Sequence, residues 1–467
     1  MLRIFRHYFP IPTLVLTVVE FAAFAGVIFL IAWPGGALAA DPVALAIRFS
    51  LASALVILLV MMAVGLYNSD TFLDYRLGLV RTLMALGFIA PLSVVGTLLL
   101  DAISDLPRQV SWSWNVTVVF AWLICLGITR ITFLQVSSLE ILKRRVLVLG
   151  TGKRALRLKS LAERRGPRRF VPVAFVSACG DPPLVKSLNL SLEKDGDRTL
   201  LARRTRELAA TEIVLATDDR RGLPVHHLLE CKLAGIRVTD YVAFCERETG
   251  AVDLSALQPS WFIFGEGFHS GAASELVKRG FDVIVSVVFL IVVLPVILLA
   301  MVAIRLESRG PILYRQARVG LHGREFVLLK FRSMRVDAEQ DRTPQWAQPN
   351  DARITRVGAF IRKARIDELP QLVNVLRGEM SFVGPRPERP FFVDQLAQQL
   401  PFYGARHAVR PGITGWAQVN YPYGASVEDA RQKLSYDLYY LKNRGVFLDL
   451  VVLIQTVRVI LWPAGAR

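Results

Sequence analysis

The sequence predicts a three-part membrane protein. A helical bundle of four spans occupies residues 1–140, and a small open-sheet α/β unit occupies 141–250. After a linker at 251–275 comes a mixed, mainly helical domain at 276–467, which dips into the membrane through a re-entrant helix at 281–304. Three observations carry this prediction. The 467 residues are 53% apolar and only 20% charged, more apolar and less charged than a typical soluble domain. Lys and Arg nevertheless number 56 against 39 Asp and Glu, a net charge of +17. The apolar residues are also concentrated in long runs. Together these exclude a disordered, collagenous or disulfide-stapled chain and point to a membrane protein with a basic face toward anionic lipid or phosphate-rich ligands. Cys125, Cys179, Cys231 and Cys245 show no ligand spacing, which suits reduced thiols.

The runs at 13–33, 43–66, 82–100 and 114–134 are each long enough to cross a hydrocarbon core of about 30 Å. The first is too long for a cleaved signal and three more follow it. Orientation follows the basic residues. Arg3 and Arg6 precede the first run, Arg76 and Arg81 separate the second from the third, and Lys143, Arg144 and Arg145 follow the fourth. The opposite loops carry none at 34–42 and only Arg108 in the other. Both ends of the bundle are therefore expected in the cytoplasm, with Trp33, Trp112 and Trp114 at the outer interface. Glu20 and Arg48 lie inside runs. Their depths differ by about 12 Å at 1.5 Å per residue, so helix packing is expected rather than a direct pair.

Beyond the bundle the pattern alternates. Strands are predicted at 146–150, 170–176, 212–217 and 236–242, with helices at 153–165 and 223–233. This is a βαβ, Rossmann-like alternation. Its first turn, Gly150-Thr151-Gly152-Lys153-Arg154-Ala155, fits GxGxxA, where a pyrophosphate can approach a helix N-terminus. No acid follows the second strand until Asp181, so the full dinucleotide fingerprint is missing. Gly150 and Gly152 therefore have two readings, a nucleotide turn or a tight structural turn. Residues 143–169 hold eleven Lys/Arg and one acid, expected to meet anionic headgroups. No aromatic interleaving supports nucleic acid as a partner.

The fifth apolar run, 281–304, has Pro295 near its middle and basic flanks on both sides: Lys278 and Arg279 before, Arg305 and Arg309 after. A spanning helix would put one basic flank outside. A helix that breaks at Pro295 and returns keeps both inside. Farther on, Asp367-Glu368-Leu369-Pro370-Gln371 reads as a helix start, because Pro is tolerated only in a first turn. That makes Asp367 an N-cap for a helix at 371–376, held ionised by the free N–H groups and the dipole. An ionised carboxylate is a competent nucleophile toward phosphorus once phosphate charge is screened. Glu368 can hold Mg²⁺, and Lys330, Arg332, Arg365 and Arg386 offer charge for a diphosphate. Asp-Glu-x-Pro alone also occurs as a plain helix-start signal. His269, His322 and His407 form no ligand spacing, Tyr421, Tyr423, Tyr439 and Tyr440 read as packing residues, and 447–462 reads as an amphipathic surface helix.

Taken in order, Lys278-Arg279-x-Phe281-Asp282, the Pro-interrupted run, Arg315-Gln316-x-Arg318-Val319-Gly320, Lys330-Phe331-Arg332-Ser333-Met334, Asp367-Glu368-Leu369-Pro370-Gln371, Gly378-Glu379-Met380-Ser381, Gly384-Pro385-Arg386-Pro387-Glu388 and Arg410-Pro411-Gly412-Ile413-Thr414-Gly415-Trp416-Ala417-Gln418 closely resemble the bacterial sugar transferases. These are the polyprenyl-phosphate hexose-1-phosphate transferases, and the likeness runs from about residue 275 onward. The preceding four runs and α/β unit resemble the large members that open exopolysaccharide and O-antigen synthesis. The segment Asp437-Leu438-Tyr439-Tyr440-Leu441-Lys442-Asn443 and the final Gly465-Ala466-Arg467 look most like the exosortase (PEP-CTERM) branch. The resemblance implies transfer of a sugar 1-phosphate from a UDP-sugar to undecaprenyl phosphate with release of UMP. It implies Asp367 as the nucleophile that carries a covalent phosphosugar, Glu368 as a Mg²⁺ ligand, and Lys330, Arg332, Arg386 and Arg410 as residues that hold phosphates and the nucleotide. It also implies a multi-pass protein of the bacterial inner membrane with its catalytic domain in the cytoplasm. Other expected partners are anionic lipid, a second copy in a homodimer, and the downstream glycosyltransferases of the same route. Small members often carry Ser-Pro at the helix break; here it is Leu294-Pro295. Two rival readings are a membrane-anchored nucleotide-sugar dehydratase or epimerase built on the Gly150 turn, and an inactive assembly protein. The first normally needs a YxxxK pair, and no Tyr here has Lys four residues on.

Overall fold

In the computed structural model of the protein, the described residues are 2–4, 7–32, 42–68, 71, 75–103, 112–137, 143–163, 170–177, 181–188, 190, 197–268, 271–335, 353–422, 424 and 426–461. Trp33, Arg108, Cys179, His269, Tyr423, residues 164–169 and the final Gly465-Ala466-Arg467 lie outside them, as do the side chains of Trp112 and Trp114. Contacts divide the chain into two compact units, one of Met1–Leu2 and Tyr8–Glu248, the other of Arg3–His7 and Thr249–Arg467.

Two three-residue strands, β1 (Leu2–Ile4) and β2 (His7–Phe9), pair ahead of the bundle. The bundle helices are α1 (Ile11–Ala32), α2 (Pro42–Val64), α3 (Tyr75–Ile103) and α4 (Trp112–Ser137). Each contains an apolar stretch long enough to cross a membrane. Phe24, Ala54, Met61, Ala85 and Trp122 form their shared core, while Val18, Leu55, Phe120 and Ile128 are exposed. Helices apolar on every side suit lipid rather than water. Arg48 is exposed, and Glu20 is fully buried with different partners. Glu20 pairs with Arg130 Nε at 3.0 Å and accepts hydrogen bonds from Thr129 (3.0 Å) and Tyr67. Arg130 also donates to the Leu66 carbonyl at 2.9 Å, so the buried charge pair satisfies the backbone where α2 ends.

The second part of this unit is a four-stranded parallel sheet of order β4-β3-β5-β6. Its strands are β3 (Arg144–Leu149), β4 (Phe170–Val176), β5 (Glu212–Leu215) and β6 (Arg237–Asp240). Helices α5 (Lys153–Glu163), α6 (Leu200–Glu207), α7 (Val225–Leu233) and α8 (Tyr241–Thr249) accompany it. Leu147, Leu149, Leu201, Ile213 and Cys231 form its core. The last strand is shorter than the sequence predicts, because Asp240 accepts a hydrogen bond from the Val242 N–H at 3.1 Å and turns the chain into α8. Helix α6 escapes the sequence reading since it buries only Leu201, Ala202 and Thr205.

The second unit begins with α9 (Pro259–Phe264) and α10 (Ala272–Glu307). The predicted break at Pro295 is absent as an interruption: α10 is one helix of 36 residues with Pro295 inside it. Proline costs one backbone hydrogen bond and favours a kink, and the apolar neighbours continue the helix past it. The hairpin β7 (Leu313–Val319) and β8 (Glu325–Phe331) is antiparallel, with Tyr314 opposite Lys330. Next come α11 (Arg356–Lys363), a 3-10 turn Ile366–Glu368, α12 (Gln371–Arg377) and β9 (Ser381–Val383). They are followed by α13 (Pro390–Gln399), β10 (Gly412–Thr414), α14 (Trp416–Asn420), α15 (Val427–Asn443) and α16 (Val446–Leu461). In α16 the polar residues face protein: Asp449 is fully buried and Arg458 donates to the Val419 carbonyl at 3.0 Å, while Leu450, Val457 and Ile460 are exposed.

β9 and β10 pair in parallel at a point of backbone-on-backbone contact. A Cβ on Gly384 would lie 2.4 Å from the Arg410 carbonyl oxygen, and one on Gly412 would lie 2.1 Å from the Gly384 nitrogen. Two of the sequence motifs are therefore glycine-bearing because they pack on each other. Gly384→Ala should destabilise the second unit by ~1–3 kcal/mol, the usual cost of overpacking. Thermal unfolding of the purified protein measures this.

Candidate active site

Lys330 lies near the end of β8, and Asn374 of α12 fixes that strand. The Asn374 side chain donates to the Val327 carbonyl at 2.8 Å and accepts from the Leu329 N–H at 3.1 Å. Between α11 and α12 the chain must reverse, and Arg365 takes a left-handed backbone (φ 59°) to begin the 3-10 turn. Such a conformation in a non-glycine residue stores strain and tends to mark functional sites. The turn presents Asp367 and Glu368, both 8% exposed.

Asp367 is not the N-cap predicted from the sequence. It lies within the 3-10 turn, and the cap position of α12 is Pro370. Its carboxylate makes no hydrogen bond or ion pair among the described residues. Burial, and secondarily the charge of Glu368, push its pKa above the ordinary value, against the pull of Lys330, Arg365 and Arg362. The expectation of a cap-stabilised carboxylate is thereby reversed in mechanism. Asp367 is a desolvated, unpartnered and more basic carboxylate.

Glu368 is its opposite. Oε1 accepts from Arg386 at 2.9 Å and Lys330 at 3.2 Å, with Arg365 at 3.9 Å. Burial alone would raise its pKa, but these cations hold it far below the usual carboxylate range. Burial lowers the Lys330 pKa, with Glu368 opposing. Three of the five predicted basic residues thus converge on one carboxylate oxygen. The other two go elsewhere. Arg332 is buried, and its guanidinium donates to the Ser308 carbonyl (2.8 Å), Ser308 Oγ (2.8 Å) and the Arg309 carbonyl (3.2 Å), so it satisfies the backbone where α10 ends. Arg410 donates through Nε to the Gly378 carbonyl at 3.0 Å, just past α12.

Several supporting residues stood in the sequence only as members of motifs with no role attached, and Arg406 stood in none. Arg406 pairs with Asp437 at 2.8 Å and donates to the Arg386 carbonyl at 2.9 Å, which fixes the backbone that carries Arg386. Arg318 donates to the Pro387 carbonyl at 3.0 Å. Lys278 bridges Asp282 (2.7 Å), Ser381 Oγ (2.6 Å) and Asp449 (2.8 Å), and Arg279 donates to the Val375 and Leu376 carbonyls. The basic motif at the start of α10 is a structural junction. Tyr439 and Tyr440 are buried packing residues. His407 is partly buried, with its pKa pushed down to about 4 by burial and by Arg406.

In the first unit, the Gly150 turn is filled by the chain itself. Asp218 accepts from the Lys153 N–H at 2.8 Å and the Arg154 N–H at 3.1 Å, and Asp181 accepts from the Thr151 N–H at 3.2 Å. These are the groups a pyrophosphate would use. A Cβ on Gly152 would lie 2.3 Å from Asp218 Oδ2, and Gly150 (φ 129°) lets the Ala216 carbonyl approach. Both glycines serve internal contacts.

No set of three or more His, Cys, Asp or Glu side chains is placed to hold a metal among the described residues. The pair at 367–368 offers what Mg²⁺ usually takes from protein, one or two carboxylates completed by substrate phosphates. All three cations approach Glu368 at Oε1.

Residues 273–463 match the family model for bacterial sugar transferases. The chain is 44% identical over 253 residues to a UDP-N-acetylgalactosamine-undecaprenyl-phosphate N-acetylgalactosaminephosphotransferase of Aeromonas hydrophila, covering 54% of this chain and 59% of that protein. It is 40% identical over 186 residues to a UDP-glucose:undecaprenyl-phosphate glucose-1-phosphate transferase of Escherichia coli (strain K12), covering 39% and 40%. It is also 40% identical over 192 residues to an uncharacterized sugar transferase of Bacillus subtilis (strain 168), covering 41% of this chain and 91% of that one. The chain therefore spans about two to three fifths of the first two relatives.

Proposed function

The chain belongs to the bacterial sugar transferase family, and on that premise we propose that it moves a hexose 1-phosphate from a UDP-sugar to undecaprenyl phosphate, releasing UMP. The observation that carries the reading is the pair at 367–368: one carboxylate buried and unpartnered, its neighbour surrounded by Lys330, Arg365 and Arg386. An Asp367 oxygen attacks the phosphorus that bears the sugar, and the bond from that phosphorus to the bridging oxygen breaks. UMP leaves with that oxygen. The sugar 1-phosphate is then an acyl phosphate on Asp367. A phosphate oxygen of the lipid attacks the same phosphorus and frees the carboxylate. Lys330, Arg365 and Arg386 supply positive charge to the diphosphate, as phosphoryl transfer requires. Glu368 keeps these cations from repelling one another and would hold Mg²⁺, which when bound adds charge neutralisation at the phosphates.

We place the work at the inner face of the bacterial inner membrane, at the opening of exopolysaccharide or O-antigen-type synthesis, with downstream glycosyltransferases taking the product. The basic residues that flank the apolar run of α10 on both sides, Lys278 and Arg279 before and Arg305 and Arg309 after, support a helix that bends at Pro295 and keeps both flanks on the cytoplasmic side.

The reading is tested with membranes or purified protein, candidate UDP-sugars and undecaprenyl phosphate, by UMP release and label transfer to lipid. Absence of both with every donor would defeat it. The raised pKa of Asp367 sets the acid limb of the rate. The group must be ionised to attack, so kcat should fall as pH drops through a value above the ordinary carboxylate 3.8. A rate flat down to pH 4 would contradict the role.

A further inference from the structure

His7, in β2 ahead of the first membrane helix, is buried. Its Nδ1 lies 2.8 Å from the Tyr439 hydroxyl, and its ring meets Trp416 edge-on at 5.1 Å. Trp416 in turn stacks on Tyr439 at 5.7 Å and donates through Nε1 to the Gly250 carbonyl at 2.7 Å. Contacts accordingly place Arg3–His7 with Thr249–Arg467. A buried imidazole without a hydrogen bond is costly, so the Tyr439 contact makes the seat specific. Burial also pushes the His7 pKa down to about 4, which keeps the ring neutral.

Both neighbours of His7 lead to the Arg386 loop. Trp416 follows Gly415, whose Cβ would lie 2.1 Å from the Gly384 carbonyl oxygen. Tyr440, beside Tyr439, donates to the Val383 carbonyl at 2.9 Å. Two residues past Gly384 stands Arg386, 2.9 Å from Glu368. The wedge made by His7 thus fixes α14 and α15 at the point where they hold the start of that loop.

We propose that the segment Arg3–His7 is a working part of the catalytic unit, with His7 a positioning residue for the Arg386 loop. As a consequence, the N-terminal segment shares the catalytic unit's side of the membrane. The kinetic part rests on the transferase reading; the placement does not. Hydrogen exchange by mass spectrometry on the full chain in detergent tests the placement directly. In His7→Ala, exchange across 383–388 and 416–420 should rise severalfold over wild type. With an active UDP-sugar donor, kcat should fall roughly tenfold, in line with small misplacements of reacting groups, while KM for the donor stays within about twofold. His7→Asn, which keeps a polar atom near the Nδ1 position, should recover most of the rate, and Tyr439→Phe should reproduce the loss in milder form. Unchanged exchange in His7→Ala overturns the placement. Raised exchange with unchanged kcat, or a rise in KM alone, overturns the positioning role. If the wild-type protein shows no transfer at all, the functional reading fails and the exchange arm still decides where the segment sits.

Discussion

Asp367→Asn should abolish transfer of sugar phosphate to lipid, with turnover down by at least ~10³-fold, the scale on which loss of a nucleophile reads out. The substitution changes little else. Asp367 makes no hydrogen bond or ion pair among the described residues, and its pKa is raised by burial, so a neutral amide sits there at no electrostatic cost. Thermal stability should hold or rise slightly. The combination of a dead enzyme with an unaltered melting temperature separates a reacting group from a structural one. Measurable turnover by the Asn variant, checked for deamidation back to Asp, would remove Asp367 from the chemistry.

Glu368→Gln should have the opposite profile. The carboxylate is the common partner of Lys330, Arg365 and Arg386. Without its charge the partly buried Lys330 and Arg386 face one another, with the solvent-screened Arg365 beside them. Breaking a buried pair by removing one partner costs ~3–5 kcal/mol. Melting temperature and turnover should therefore fall together. Adding Lys330→Met removes the most buried orphaned cation and should restore part of the stability without restoring the rate, since the phosphate loses that charge as well. Glu368 is held far below the ordinary carboxylate range. Its stabilising contribution is full above the unfolded-chain value near 4.3 and is lost only as pH falls toward its own depressed pKa. Acid inactivation at mild pH should therefore track Asp367 and leave the fold intact.

The membrane helices were legible because length and apolarity suffice to specify a span, and α1, α2, α3 and α4 lie where the runs predict. The helix start after Pro370 was legible locally, while the Asp367–Glu368 pair was singled out only by its place in an ordered run of motifs. What the sequence could not supply was direction. Lys330, Arg332 and Arg410 look alike as letters. Lys330 reaches Glu368, while Arg332 satisfies the end of α10 and Arg410 the Gly378 carbonyl. Both uses of arginine follow from its planar donor fork, and only the fold decides between them. The internal contacts of the Gly150 turn were hidden for a related reason. Asp218 arrives from beyond β5 to fill the helix end, a contact across 65 residues that no local pattern reveals. Glu20 found Arg130 rather than Arg48 on the same grounds. His7 belongs here too, because its partners Trp416 and Tyr439 stand some four hundred residues away.

The most direct test of the account is the mass of the protein itself. Purified enzyme incubated with its UDP-sugar, without lipid acceptor, should release at most one UMP per active site and gain the mass of one hexose phosphate. The adduct should map to the peptide that contains Asp367, disappear on addition of undecaprenyl phosphate, and be absent from Asp367→Asn. An adduct on another residue, or UMP release that requires both substrates together and leaves the protein mass unchanged, would contradict it.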